Sequence, residues 1–90
     1  MTNAVIAFIG AGNMASSIIG GLLESGHPAT RLHAADPSAE SLSNLRKLGP
    51  VHTYQDNAEA CAHADVVIVA VKPQVMRAAL ESIAAPVRER

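Results

Sequence analysis

The sequence predicts an α/β fold, a parallel sheet with helices on both faces. Two observations carry that expectation. Short apolar runs alternate four times with segments of helical spacing, and Gly, Pro and Asp punctuate the joints. The first apolar run also leads directly through a glycine-rich turn into the first helical segment. Alternation of this kind favours parallel strands joined by right-handed crossovers.

Ala4-Val5-Ile6-Ala7-Phe8-Ile9 is apolar at every position, the pattern of a strand buried on both faces. Met14, Ile18, Ile19, Leu22 and Leu23 then fall at helical spacing between Met14 and Ser25, with Gly26 as a stop and Pro28 beyond it. Gly20 and Gly21 inside this helix each cost about 1 kcal/mol relative to Ala, which predicts close packing against the sheet or a second chain. Leu32-His33-Ala34-Ala35 reads as a second strand, stopped by Asp36-Pro37. Ser38 to Lys47 reads as a helix with Leu42, Leu45 and Leu48 on one face, closed by Gly49-Pro50. Val51-His52-Thr53-Tyr54 is a short third strand. Asp56-Asn57-Ala58-Glu59 has the spacing of a capping box, opening a helix through Cys61 to His63. Val66-Val67-Ile68-Val69-Ala70-Val71 is mostly β-branched and forms the fourth strand. Lys72-Pro73 ends it. Val75, Ala79, Leu80 and Ile83 define a last helical face up to Pro86, and 87–90 carry no pattern.

Composition removes several classes of function. Ninety residues make one small domain, and 49% hydrophobic against 17% charged residues allows a buried core rather than a disordered tail. A net charge of -1 argues against a nucleic-acid or anionic-membrane partner held by bulk charge. Aromatic residues at 2% leave no platform for stacking bases. Cys61 is the lone cysteine and cannot form an internal disulfide, which fits a reducing, cytoplasmic setting. No apolar run is long enough to span a bilayer, and the first residues lack the basic region of a secretory signal.

Gly10-Ala11-Gly12-Asn13-Met14-Ala15 matches G-x-G-x-x-G/A at a strand-to-helix joint, the fingerprint of a Rossmann-type dinucleotide site. Gly10 permits the tight turn, Gly12 lets a pyrophosphate approach the backbone without meeting a Cβ, and Ala15 is small enough for close helix–strand packing. The helix N-terminus turns free N–H groups and a positive dipole end toward the phosphates. The fingerprint also calls for an acidic residue about 20 residues further on, to hold the adenosine ribose. Asp36 occupies that place. A carboxylate there accepts from the ribose 2′-OH and repels a 2′-phosphate, favouring NAD over NADP. The alternative is that Asp36-Pro37 is only a helix cap followed by a first-turn proline. Ser38 as a donor to a 2′-phosphate, with Arg31 or Arg46 nearby, would instead suit NADP.

Lys72 lies at the carboxyl end of the most apolar strand, where open α/β sheets bind ligands. Asn57 starts a helix near the same crevice; its competing role is an N-cap. His27, His33, His52 and His63 have no metal-ligand spacing with one another or with Cys61, so solvated or packed side chains are expected and no metal. Ser16-Ser17 lacks the G-x-S-x-G elbow of a hydrolase, and no Gly-Lys-Ser/Thr follows the glycines as in a P-loop.

Ile9-Gly10-Ala11-Gly12-Asn13-Met14-Ala15, followed by Ile18 and Gly20-Gly21-Leu22, resembles the amino-terminal domain of pyrroline-5-carboxylate reductases. Ala70-Val71-Lys72-Pro73 is a second and more specific signature, similar to the A-V-K-P element of that family, with Asp65-Val66-Val67 before it and Val75-Met76 after. The resemblance covers essentially the whole chain. It implies an oxidoreductase of proline biosynthesis in which NADPH or NADH delivers hydride to 1-pyrroline-5-carboxylate, giving L-proline. It also implies dinucleotide contacts at Ile9, Gly10, Ala11, Gly12, Asn13 and Met14, at Asp36 and Ser38, at Asn57, and at Val71 and Lys72. Many members carry a small polar residue where this chain has Asp36, so both cofactors stay open.

Members of that family continue into more of the sheet and a helical carboxyl-terminal domain, which makes an intertwined dimer and supplies most of the imino-acid site. By that resemblance, 1–90 is the amino-terminal portion of an NAD(P)-binding domain, incomplete at its carboxyl-terminal end. It would be inactive alone, with no catalytic residue of its own, and the full-length protein would be a homo-oligomer. A sheet ending at the fourth strand would expose apolar surface. Two other functions share the glycine turn. One is a β-hydroxyacid-dehydrogenase-like or F420-dependent NADP reductase, against which the A-V-K-P element counts. The other is a non-enzymatic NAD-sensing module.

Overall fold

The computed structural model describes residues 4–71, 74 and 76–88. The elements follow the predicted alternation: β1 (Ile6–Ile9), α1 (Asn13–Glu24), β2 (Leu32–Ala35), α2 (Ala39–Arg46), β3 (His52–Tyr54), α3 (Asn57–Cys61), β4 (Val66–Val69) and α4 (Met76–Arg88). A 3₁₀ turn, Ala29–Arg31, leads into β2 and was not expected. All strand pairs are parallel, in the order β3-β2-β1-β4. The chain thus builds outward from β1 through β2 to β3, then crosses back to place β4 on the other side of β1. That reversal opens a crevice at the carboxyl ends of β1 and β4, where ligands of open α/β sheets bind.

β1 is central and its side chains divide by the period of two. Ile6 and Phe8 join a core of Ile19, Leu32, Leu42 and Leu45 beneath α1 and α2. Val5, Ala7 and Ile9 join a second core with Cys61, Ala64, Ala79 and Ile83 beneath α3 and α4. Each face of the sheet therefore has its own pair of helices, which is why β1 reads as an unbroken apolar run.

Gly26 adopts φ +95° just past α1. Its N–H donates to Leu23 O and the His27 N–H to Leu22 O, the paired bonds of a Schellman motif. His27 is buried, and its Nε2 meets Ala4 O at 3.0 Å. Because a carbonyl only accepts, the imidazole proton sits on Nε2 and pins the end of α1 to the start of the sheet. Asp65 does the same at β4, where its Oδ2 accepts from the Val5 N–H at 2.9 Å. The amino ends of the strands are closed.

Several expectations are corrected. A Cβ added at Gly20 or Gly21 meets nothing within 4 Å, so neither glycine serves close packing on the sheet. Asp56 occupies the N-cap position of α3, but its side chain makes no capping bond, and the capping box does not form. α4 continues through Pro86 to Arg88, where the sequence suggested a stop. A proline in the last turn removes one ladder bond without breaking the turns before it. Leu48 and Leu80 are exposed. Leu48 lies in the turn after α2, and Leu80 is rotated off the face that Ala79 and Ile83 bury. Val66 is exposed on β4, at the edge of the described sheet. Among the described residues no helix is long and apolar enough to cross a membrane.

Candidate functional site

The site begins where β1 meets the glycine turn. Gly10 has φ +107°, and a Cβ built there would run into the Ala70 carbonyl, so glycine is required by both backbone and neighbour. The turn is fastened on both sides. The Gly10 N–H donates to Ala35 O at 2.8 Å, and the Ala70 N–H donates to Ile9 O at 2.8 Å. Gly12 is the N-cap of α1; a Cβ there would project into open space, as a close ligand approach needs. α1 has no side-chain cap and no acidic residue in its first turn. Its leading N–H groups are left for an anion. Ala15 is fully buried beneath the turn.

Asp36 sits at the end of β2 with both carboxylate oxygens engaged. Oδ2 accepts from the Ala11 N–H at 2.9 Å, and Oδ1 accepts from the Ser38 N–H at 2.8 Å. The helix cap is Ser38, whose Oγ accepts from the Ser41 N–H at 3.2 Å. The reading of Asp36 as only a cap for α2 is therefore wrong. Its carboxylate ties the glycine turn to β2, and each oxygen keeps a lone pair for a further donor.

Asn57, the first residue of α3, donates from Nδ2 to Ser82 Oγ on α4 at 2.8 Å. Ser82 Oγ in turn donates to Ala79 O at 2.6 Å. Asn57 is not a helix cap here; it crosses to the neighbouring helix.

Ile9, Gly10, Gly12, Asp36, Asn57 and Val71 come together in one cleft of about 430 Å³, within the usual range for small-molecule sites. Ala35, Pro37, Ala70, Ala78 and Ala79 complete its wall, and none of them was placed in the site from the sequence. For Ala78 and Ala79 the only signal was a pair of small residues early in α4. Other predicted site residues fall outside that lining. Ala11 is buried under the turn, and its N–H is already given to Asp36. Asn13 and Met14 are exposed at the start of α1, and Ser38 caps α2. Lys72, with Pro73 and Val75, lies outside the described residues. Arg31 precedes the first residue of β2, at the end of the strand away from Asp36. Arg46 donates to Thr53 Oγ1 at 2.6 Å, beside a separate hollow between α2 and β3.

His33 stacks on His52 with ring centroids 4.7 Å apart and meets Tyr54 Oη through Nδ1 at 2.8 Å. Burial, then the nearby His52 and His63, hold the His33 pKa below its ordinary value. Burial and then Glu59 push the Tyr54 phenol up. Cys61 is buried in the core, as expected. Among the described residues no group of His, Cys, Asp and Glu could hold a metal ion.

A Rossmann-type sheet with a glycine turn at its switch point defines the dinucleotide-binding class of α/β domains. The chain belongs to the family described as NADP oxidoreductase coenzyme F420-dependent, whose model matches residues 5–90. Within that class its relatives are more particular. It is 48% identical over 84 residues to a pyrroline-5-carboxylate reductase of Pseudomonas aeruginosa, covering 93% of this chain and 31% of that protein. It is 43% identical over 76 residues to the pyrroline-5-carboxylate reductase of Vibrio alginolyticus, covering 84% of this chain and 28% of that one. A solved pyrroline-5-carboxylate reductase from Coxiella burnetii superposes with a TM-score of 0.93 at 37% identity, covering 99% of this chain and 33% of that one. The chain thus spans about a third of the length of these relatives, in their amino-terminal part. They are reductases, which does not favour a non-enzymatic sensing module.

Proposed function

We propose that the chain is the cofactor-binding part of a pyrroline-5-carboxylate reductase, which reduces 1-pyrroline-5-carboxylate to L-proline with NADPH or NADH. The observation that carries the reading is the cleft itself. A side-chain-uncapped helix N-terminus, a glycine with open space beside it and a tethered carboxylate converge at the β1/β4 switch. These residues fit a dinucleotide. Gly12 and the first turn of α1 would hold the pyrophosphate, Asp36 the adenosine ribose, and Asn57 and Val71 the opposite wall. Ile9, Gly10, Ala11, Asn13, Met14 and Ser38 support the same site from the turn and the cap, and Lys72 completes the set carried by the family resemblance.

The bound cofactor supplies the hydride, which adds to the C=N carbon while the nitrogen gains a proton. This chain's residues bind and orient that cofactor, and no catalytic side chain is assigned to them. Residues 1–90 form the amino-terminal portion of the NAD(P)-binding domain. The imino-acid substrate would be held by the rest of a cytoplasmic, homo-oligomeric protein.

Full-length protein should oxidise NADPH or NADH when given 1-pyrroline-5-carboxylate, and no oxidation of either would overturn the reading. Gly12→Val should abolish dinucleotide binding in a fluorescence titration, since a branched side chain would occupy the pyrophosphate's place; unchanged binding would refute the site. Asp36→Ser should raise affinity for NADPH relative to NADH. An unchanged ratio would leave Asp36 as a tether of the glycine turn alone.

A further inference from the structure

The Asn57–Ser82–Ala79 chain has a direction, and that direction dictates what Asn57 offers the cleft. Ala79 O is a backbone carbonyl and can only accept, so the single hydroxyl proton of Ser82 is committed to it. Back-bonding of this kind to the preceding turn is a common use of serine in a helix. Ser82 Oγ then has only lone pairs for Asn57. The amide of Asn57 must turn its Nδ2 toward Ser82, as observed, and its carbonyl Oδ1 away. With the two ends of the amide distinguished this way, the orientation is set by chemistry.

We propose that Ser82 is a positioning residue that polarises Asn57 as a hydrogen-bond acceptor, selecting a donor on the adenosine half of the dinucleotide. The donor is an N–H or O–H, either the exocyclic amine of the adenine or a ribose hydroxyl. Asn57 lines the cleft and Ser82 does not, so Ser82 acts only through Asn57. This rests on the dinucleotide reading above and adds the identity of the recognising atom. Neither residue alone carries the information, because a free asparagine amide can turn either end toward a ligand.

The test is a double-mutant cycle in the full-length protein, read as NADH and NADPH dissociation constants by nicotinamide fluorescence. Ser82→Ala should weaken binding by about two- to tenfold, the scale of one hydrogen bond. Ser82→Thr, which keeps the hydroxyl, should restore it. In an Asn57→Ala background Ser82→Ala should cost nothing further. A second arm uses nicotinamide hypoxanthine dinucleotide, in which an oxo group replaces the adenine amine. Loss of the Ser82→Ala penalty with this probe identifies the amine as the donor, and its persistence identifies a ribose hydroxyl. A full penalty for Ser82→Ala in the Asn57→Ala background, or none in the wild type, would overturn the proposal. If the wild type binds no dinucleotide, the functional reading fails instead, and the two failures are distinct.

Discussion

Against α1 and α2 the sheet presents Phe8 and Leu32, packed with Ile19, Leu42 and Leu45; against α3 and α4 the central strand presents Ala7 and Ile9, packed with Cys61, Ala64 and Ala79. The first face holds most of the large buried side chains, interleaved with Ala11, Ala15, Ala34 and Ala70. The second is built largely from small ones and runs into the cleft, where Ala78 and Ala79 form part of the wall. One sheet thus carries stability on one side and leaves room on the other. The same division separates its two ends: His27 and Asp65 close the amino ends, while the carboxyl ends open at the glycine turn.

The sharpest way to break this comparison is to hollow the packed face. Phe8→Ala should cost about 3–5 kcal/mol, because a fully buried ring leaves a cavity that neighbouring strands cannot fill. A shift in the urea midpoint measures it, and a cost below about 1 kcal/mol would mean the two faces share the load. Next is the joint between them. Gly10→Ala should cost about 2–3 kcal/mol through the unfavourable φ and the Ala70 carbonyl, lowering stability even with no dinucleotide present.

A smaller effect belongs to β2 and β3. The folded-state pKa of His33 lies below its ordinary 6.5, so the unfolded chain binds more protons in that window. Stability should therefore fall as pH drops from about 6.5 toward the lowered value, then level off below it. Protonation also bears on the bond between His33 Nδ1 and Tyr54 Oη, since a doubly protonated ring can only donate. Melting temperatures between neutral and mildly acidic pH check this, and His33→Gln should flatten that part of the slope. The least stability change is expected at the open face. Ala78→Leu, on an exposed position lining the cleft, should alter stability by no more than about 0.5 kcal/mol while impairing NADH and NADPH binding. Equal losses of stability and affinity would erase the distinction between the faces.

Strand and helix order were legible because they rest on local pattern. Leu32–Ala35 matches its expected strand residue for residue, and the other elements differ mainly at frayed ends. Gly10 was legible for the same reason: a strand running into a glycine turn needs a positive φ whatever lies around it. Gly20 and Gly21 misled because a glycine in a helix records only what is missing from the side chain. Whether a neighbour occupies that space is a tertiary matter, and among the described residues of this chain nothing does. Leu80 misled because a helical face is broad, and only the position of α4 on the sheet selects which part of it is covered.

Asp36 marks the boundary between the two kinds of information. Its place after the second strand is set by residue order alone, and so is the alternative that it caps a helix. Choosing between these needs the partners of its two oxygens, one of which is Ala11, 25 positions away in the chain. Asn57 and Ser82 are likewise 25 apart, and the direction of their bond depends on a third group, the Ala79 carbonyl. Amino-acid order determined the alternating elements, the glycine at the turn and the chemistry available at each position, because those depend on near neighbours. Only the folded sheet decided which polar atoms meet, because a hydrogen bond between distant residues exists only once packing has brought donor and acceptor within reach.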